Sequence, residues 1–530
     1  MGVLRFFYWV LRNMPKTCWP VNKKFTNAGK FRPDMLLVDC NAVFHPCFRD
    51  VFCPEKLSDV WKAQSSQETQ EEKIDRAING VCQKIEDMIR LSNPSKALYL
   101  AIDGVAGCCK QSQQRKRRFK AAKDRMASGD TGFDFSQITA GTSLMFKICE
   151  KLEQHFSSTS REFTVFINPV GIPGEGEHKL IRAMTGQKKY RSFYIYSPDA
   201  DLIMLSMLTG LRNITILREN IYDNIRGDWI LVNIDKLKRE IAEKLSLLLL
   251  EETPQEIDPQ RVVRDVVLFM FMLGNDFVPN VPSLDIAYDG IDTLFWVYSR
   301  TVGKWGYLIG DDQKFNKKAV VALFEALADK EPELLLTRYM NNRAKWPDTV
   351  LQANISRENG IPQIRYESYA ESYYARNFQA DISRETICEE YMRGISFVIN
   401  YYLKGIPSFD WYYPFHYAPL FGDLKKWCGE SDLDFRFQYK PPLSLTEALV
   451  SVLPPSAFCL LPDPVRGFMT DRGELDPDFS DNFEIDLEGK QQDYEAVLLL
   501  PMVPYEKIQR LLKPFKLKDP EVRLTVIDTQ

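Results

Sequence analysis

The chain has 530 residues, 45% of them apolar, and a formal net charge of −4. It can bury a large core, and any attraction to nucleic acid must come from local basic patches, because the whole molecule is slightly acidic. No apolar run approaches the ~18 residues of a membrane span, and eleven scattered cysteines with no C-x-x-C, beside only four histidines, argue against a structural zinc site and for reduced thiols.

The first 33 residues carry Arg5, Arg12, Lys16, Lys23, Lys24, Lys30 and Arg32 and no acid. Their apolar stretch “FFYWVL” is too short for a signal-peptide core and lacks a small-residue cleavage site, and Phe6 spoils a myristoylation motif. Next, “DMLLVDCNAVFH” reads as a buried strand ending in Asp39, and “KALYLAIDGVAG” as a second ending in Asp103. Directly after it, “KQSQQRKRRFKAAKDR” sets eight cations (Lys110, Arg115, Lys116, Arg117, Arg118, Lys120, Lys123 and Arg125) against one acid, Asp124. Lys110, Gln114, Arg117 and Arg118 follow i, i+4, i+7, i+8 spacing, so one helical face carries three cations and an amide. A charge run is ordinarily a solvated face, but beside an acid site this one has the composition of a phosphate-binding surface.

“EFTVFINPVGIPGEGEHKLIRAM” takes a third strand through a glycine-rich turn, with Glu175 and Glu177 opening a helix. In “FYIYSPDADLIMLSML”, Phe193 to Tyr196 is strand-like, Leu202 to Leu208 is apolar at helical spacing, and Asp199 and Asp201 occupy the corner between them. In isolation such a D-x-D is an N-cap plus a solvated loop acid. A fifth acid site closes “DVVLFMFMLGNDFVPN” at Asp276, after an apolar helical run.

Strands alternating with helices predict a parallel sheet whose carboxyl ends converge on one crevice. Asp39, Asp103, Glu175, Glu177, Asp199, Asp201 and Asp276 would then share a pocket. That many negative charges with little water between them require cations, and hard oxygen ligands select Mg²⁺ or Mn²⁺. Two ions ~3.5–4 Å apart would suit phosphodiester cleavage.

The motifs resemble those of the Xrn-type 5′→3′ exoribonucleases. “MGVLRFFYWVLRNMP”, “VDCNAVFH”, “DGVAGCCKQSQQRKRRF”, “ITAGTSLM”, “GEGEHK”, “DADLIML” and “GNDFVPNVPSLDI” occur in that family's order. “YYLKGIPSFDWYYPFHYAPL”, “LVSVLPPSAFCLLP” and “DLEGKQQDYEAVLLLP” resemble its second conserved region. The resemblance implies that the same seven acids bind metal, that Lys110, Gln114, Arg117 and Arg118 hold a 5′-monophosphate, and that His45 and Trp411 stack on bases near the 5′ end. Without it, His45 reads as a core histidine. Three departures from the family pattern, Gly107-Cys108-Cys109, Ala140 and Asn280, touch the 5′ pocket and spare every proposed ligand. The chain is also short between Phe119 and Ile138, where many relatives carry a helical projection.

The fold expected is α/β: a PIN/FEN-like nuclease core over residues 1–299 with a mostly parallel sheet flanked by helices, a helical connection over 300–385, and an α-rich, aromatic second region over 386–530 packed on the core. The expected function is processive 5′→3′ degradation of 5′-monophosphorylated, decapped RNA to mononucleotides in RNA decay. It would proceed by two-metal hydrolysis in a cytoplasmic monomer, with single-stranded RNA as partner and no membrane. A 5′ flap-type nuclease and a catalytically silent RNA-binding scaffold are the alternatives; an intact acid set argues against the second.

Overall fold

The computed structural model describes residues 3, 5–22, 32–53, 68–222, 225–250, 258–341, 343–473 and 476–528. Lys23, Lys24 and Lys30 lie outside the described residues. Two compact units are interleaved along the chain: a sheet unit of Pro15–Asp235, Lys440–Asp481 and Met502–Gln530, and a helical unit of Met1–Met14, Lys236–Tyr439 and Asn482–Pro501.

The sheet unit is built on eight strands: β1 (Cys18–Val21), β2 (Met35–Asp39), β3 (Ala97–Ala101), β4 (Thr164–Asn168), β5 (Phe193–Tyr196), β6 (Ile214–Glu219), β7 (Trp229–Asn233) and β8 (Thr525–Ile527). Their order is β1-β7-β6-β5-β2-β3-β4-β8. The run β6-β5-β2-β3-β4 is parallel, while β7, β1 and β8 add antiparallel strands at its two sides. Every residue of β2 and β3 is buried. A parallel strand covered by helices on both faces reads as an unbroken apolar run, and these two do. Each fully buried Leu or Val there contributes ~1.5–3 kcal/mol relative to exposure.

The helices that matter to the site follow from the same strands. They are α1 (Asn41–Phe52), α2 (Gln70–Ser92), α3 (Cys108–Ser128), α4 (Ser143–Ser157), α5 (Gly176–Gly186), α6 (Asp201–Leu208) and α7 (Leu445–Val452). Local chemistry fixes their starts: Thr69 and Glu72 form a reciprocal capping box on α2, and Thr142 accepts the Met145 N–H to open α4. Leu36, Val38, Leu98, Leu100, Phe44 and Ile85 share one core between sheet and helices. The carboxyl-terminal part of the chain contributes to this unit directly. Residues of α7 pack on α3, and β8 pairs with β4, Thr525 opposite Ile167.

The helical unit has its own core, in which Leu335, Leu351, Tyr369, Ile387 and Leu420 are buried together. Its central polar group is Glu331, fully buried on the helix Lys317–Asn341. It accepts from Ser283 Oγ (2.9 Å), Tyr366 Oη (2.6 Å) and the Phe421 N–H (2.9 Å), so the buried carboxylate is satisfied from three separate segments.

Candidate metal centre and 5′-end cavity

The parallel strands place acids at one edge of the sheet. Asp39 ends β2, Asp103 follows β3 by two residues, Glu175 is the N-cap of α5 with Glu177 in its first turn, and Asp201 is the first residue of α6. Ligand oxygens of Asp39, Glu177 and Asp199 lie within 4.8 Å of one another. Asp103 joins them through Gly176, whose N–H donates to Asp103 Oδ1 at 2.6 Å. A Cβ at Gly176 would sit 3.1 Å from that oxygen and 3.3 Å from Asp39 Oδ1. The backbone passes between two carboxylates there, so a side chain at this position would crowd both.

Burial and mutual repulsion raise the pKa of three of these acids, Asp39, Asp103 and Glu177. Asp39 is held well above the ordinary carboxylate range by burial, then by Asp103 and Asp199. Glu177 is raised by burial and by Asp201, and Asp103 by burial, with the Gly176 N–H opposing it. A cluster that resists ionisation in this way is stabilised by a divalent cation, and its donors are all hard oxygens. The residues present therefore fit Mg²⁺ or Mn²⁺.

Several supporting groups were not singled out in the sequence. Ser197 Oγ donates to Asp39 Oδ2 at 3.5 Å and accepts the Asp199 N–H at 3.2 Å, and Asn41 Oδ1 accepts the Asp103 N–H at 3.0 Å. Lys179, buried on α5, donates to the carbonyls of Ile102 (2.6 Å) and Pro169 (3.0 Å), tying the ends of β3 and β4 together beneath the acids. Burial pulls its ammonium down to about 8. The Lys in “GEGEHK” was the available signal, and its partners are backbone atoms that no motif displays.

The basic helix α3 runs unbroken as its spacing predicts, but its cations divide into different roles. Lys110 pairs with Glu175 at 2.8 Å, both side chains largely buried. Arg115 does not belong to a phosphate surface. It is 1% exposed, donates to the carbonyls of Ser451 (3.0 Å) and Asp478, and lies 4.2 Å over the Phe119 ring. Lys120 pairs with Asp124 along the helix. Arg125 is engaged by Asp134 and by the carbonyls of Asp130 and Gly132.

Arg117 is exposed and Gln114 half-buried on the same helix. Arg118 is buried, and its Nε donates to Thr139 Oγ1 at 2.9 Å. Arg117 and Arg118 line a cavity of about 810 Å³ together with His45, Arg49, Phe133 and Phe135. His45 stacks against Phe135 with ring centroids 6.4 Å apart. Burial, then Arg117, Arg118 and Arg49, push its pKa down to about 3, so the imidazole is neutral at physiological pH.

Asp276 and Trp411 belong to the helical unit. Asp276 lies in the turn after Gly274, where Asn275 Oδ1 accepts the N–H groups of Phe277 (2.8 Å) and Val278 (2.9 Å). Trp411 stacks on Phe397 with centroids 4.3 Å apart. A Cβ at Gly394 would meet Val278 Cγ1 at 2.7 Å and the Trp411 ring at 3.2 Å, so the Asp276 turn and Trp411 adjoin one face of the helix Arg384–Lys404.

Residues 1–220 match the family described as XRN 5'-3' exonuclease N-terminus, and residues 256–363 and 352–523 match the Xrn1 helical domain. The chain is 26% identical to 5'-3' exoribonuclease 1 of Homo sapiens over 96% of its own length and 34% of that protein. It is 24% identical to 5'-3' exoribonuclease 2 of Gallus gallus over 97% of its length and 70% of that protein. The chain thus spans about a third of the human relative. Among solved structures, the catalytic core of Rad2 in complex with DNA substrate is similar at a TM-score of 0.31 and 11% identity, over 76% of this chain and 95% of that one. With both family regions matched in order along nearly all of its length, the chain belongs to the XRN 5'-3' exonuclease family.

Proposed function

We propose that the chain is a metal-dependent exoribonuclease that degrades single-stranded, 5′-monophosphorylated RNA processively from its 5′ end to mononucleotides, working as a cytoplasmic monomer in RNA decay. The observation that carries this reading is the convergence of Asp39, Glu177 and Asp199 at the sheet edge, within 4.8 Å of one another and largely withdrawn from water. Asp103, Glu175, Asp201 and Asp276 complete the proposed ligand set. Two divalent ions held by these carboxylates would polarise the scissile phosphate and lower the pKa of an attacking water.

The protein's own groups supply the rest. Lys110, Gln114, Arg117 and Arg118 form charge-assisted hydrogen bonds to the terminal phosphate and so fix which phosphodiester meets the acids. Neutral His45 offers an aromatic face to the first bases, with Trp411 as the proposed partner. Base stacking on such faces is worth ~1–3 kcal/mol per base and is indifferent to sequence.

The test is an end-labelled single-stranded RNA assay with Mg²⁺. Monophosphorylated RNA is expected to yield mononucleotides, with the 5′-hydroxyl form degraded much more slowly. A multi-nucleotide fragment as the earliest product of a 5′-labelled flap substrate would overturn the reading in favour of a flap-type nuclease.

A further inference from the structure

One flank of α3 holds polar groups for which the fold supplies no partner. Gln113 is half-buried, and both its Oε1 and its Nε2 are withdrawn from water with no hydrogen-bond partner among the described residues. Lys116, three residues on, is also half-buried. It makes no ion pair among the described residues, and burial, opposed by no neighbouring charge, pulls its ammonium down to about 8. On a helix the two side chains are neighbours. Gln113 stands one turn before Arg117, whereas Lys116 lies on the opposite side of the helix from Arg118, and neither lines the cavity beside His45.

Elsewhere on the same helix, what is buried is satisfied. Arg115, between the two in sequence, donates to two carbonyls and covers an aromatic ring. Gln111 donates to the Ala106 carbonyl at 2.7 Å and accepts from Ser451 Oγ. An amide bonded at neither end and a lysine with no counter-charge each lower the stability of the free protein, because burial removes the water that would solvate them. Two such groups side by side are matched to a ligand. A donor and an acceptor beside an ammonium suit a sugar–phosphate backbone, with lysine for the phosphate charge and glutamine for a phosphate oxygen or a ribose hydroxyl.

We propose that Gln113 and Lys116 grip the RNA backbone on the 3′ side of the scissile linkage and so keep the shortened strand on the protein between cycles. The inference rests on the exoribonuclease reading above. The side follows from the chemistry: when the bond cut lies after the first nucleotide, the only phosphate on its 5′ side is the terminal one, assigned above to Lys110, Gln114, Arg117 and Arg118. Any further phosphate held by α3 belongs to the strand that remains. That contact outlasts release of the mononucleotide, whereas the terminal phosphate departs with the product. The pair therefore acts on retention of the strand and not on the bond-breaking step.

The experiment compares the full chain with Lys116→Met and Gln113→Leu. Each protein is loaded with a 3′-labelled, 5′-monophosphorylated single-stranded RNA, and Mg²⁺ is then added with a large excess of unlabelled RNA, so the product ladder reads nucleotides removed per encounter. Each variant is expected to shorten that run about threefold or more, the loss of one polar contact, with the ratio of monophosphate to hydroxyl rates unchanged. In cleavage-deficient Asp201→Asn protein, Lys116→Met should lower the slope of log affinity against log salt concentration by about 0.7, one phosphate contact on a single strand. Both variants should melt at or above the temperature of the parent, because each removes a group that is unsatisfied in the free protein. A more stable protein that releases RNA sooner is an outcome that a residue serving only the helix does not give. A lower melting temperature in both variants, an unchanged run length, or loss of the monophosphate preference would overturn the proposal, the last by assigning the pair to the terminal-phosphate site. If the parent removes no nucleotides, the exoribonuclease reading falls, and the salt slope decides separately whether Lys116 holds a phosphate.

Discussion

Arg115 separates cations that build the protein from those that serve its substrate. Its guanidinium donates to two backbone carbonyls, those of Ser451 and Asp478, and covers the Phe119 ring. Burial lowers its pKa only to about 10, so it stays charged at neutral pH. Each hydrogen bond from a charged donor is worth ~1.5–3 kcal/mol, and the cation–π contact adds ~0.5–2 kcal/mol. Arg115→Ala leaves two buried carbonyls without their donor, and the expected loss is ~3–5 kcal/mol of stability, at the upper end for single substitutions. Exposed Arg117→Ala should stay within ~0.5 kcal/mol of the parent in stability yet lose the preference for a 5′-monophosphate over a 5′-hydroxyl. Urea unfolding followed by circular dichroism, run beside the two-substrate assay, measures both properties. If Arg115→Ala unfolded with the parent and lost the phosphate preference, the division of the helix into structural and substrate-binding cations would be wrong.

The acid cluster gives a pH signature. Because Asp39, Asp103 and Glu177 titrate above their ordinary values in the fold, their contribution to the stability of the metal-free protein is fully present below about pH 4, where unfolded carboxyls are protonated, and is lost as pH rises through the raised values. With EDTA the melting temperature should be lower at pH 8 than at pH 5.5, Mg²⁺ or Mn²⁺ should close the gap, and Asp201→Asn should narrow it while abolishing cleavage. A pH slope indifferent to metal would count against the cluster as a cation site. Trp411→Ala should shorten the run length on structured RNA more than it slows a short single-stranded oligomer. A uniform decrease that tracks a lower melting temperature would make the Phe397 stack its whole role.

The acids at the strand ends were legible because a parallel strand buried on both faces leaves an unbroken apolar run, and the first charge after it marks the sheet edge. That is why Asp39, Asp103, Glu175, Glu177, Asp199 and Asp201 could be named from local pattern. The fate of Arg115 was not legible, since its acceptors are backbone atoms 336 and 363 residues away. Nor was the contribution of residues 440–481 and 502–530 to the sheet unit: “LVSVLPPSAFCLLP” is apolar whichever surface it covers, and β8 is only three residues long. The cavity was not legible for a similar reason, because Arg49, Phe133 and Phe135 are unremarkable until α1 and the 130–138 turn pack against each other beside α3.

The pairing of β8 with β4 has a consequence for synthesis. A ribosome that has released residue 235 has released β1 to β7, yet β4 has no outer neighbour until Ile527 has left the exit tunnel. At ~5–20 residues per second, the roughly 290 intervening residues take ~15–60 s to make. Through that interval the nascent sheet presents a bare row of backbone donors and acceptors along β4, the kind of edge that recruits other strands, and Arg115 waits equally for Ser451 and Asp478. The growing chain is therefore most exposed to misassociation while its helical unit is being translated, and that edge is where a chaperone would do most good.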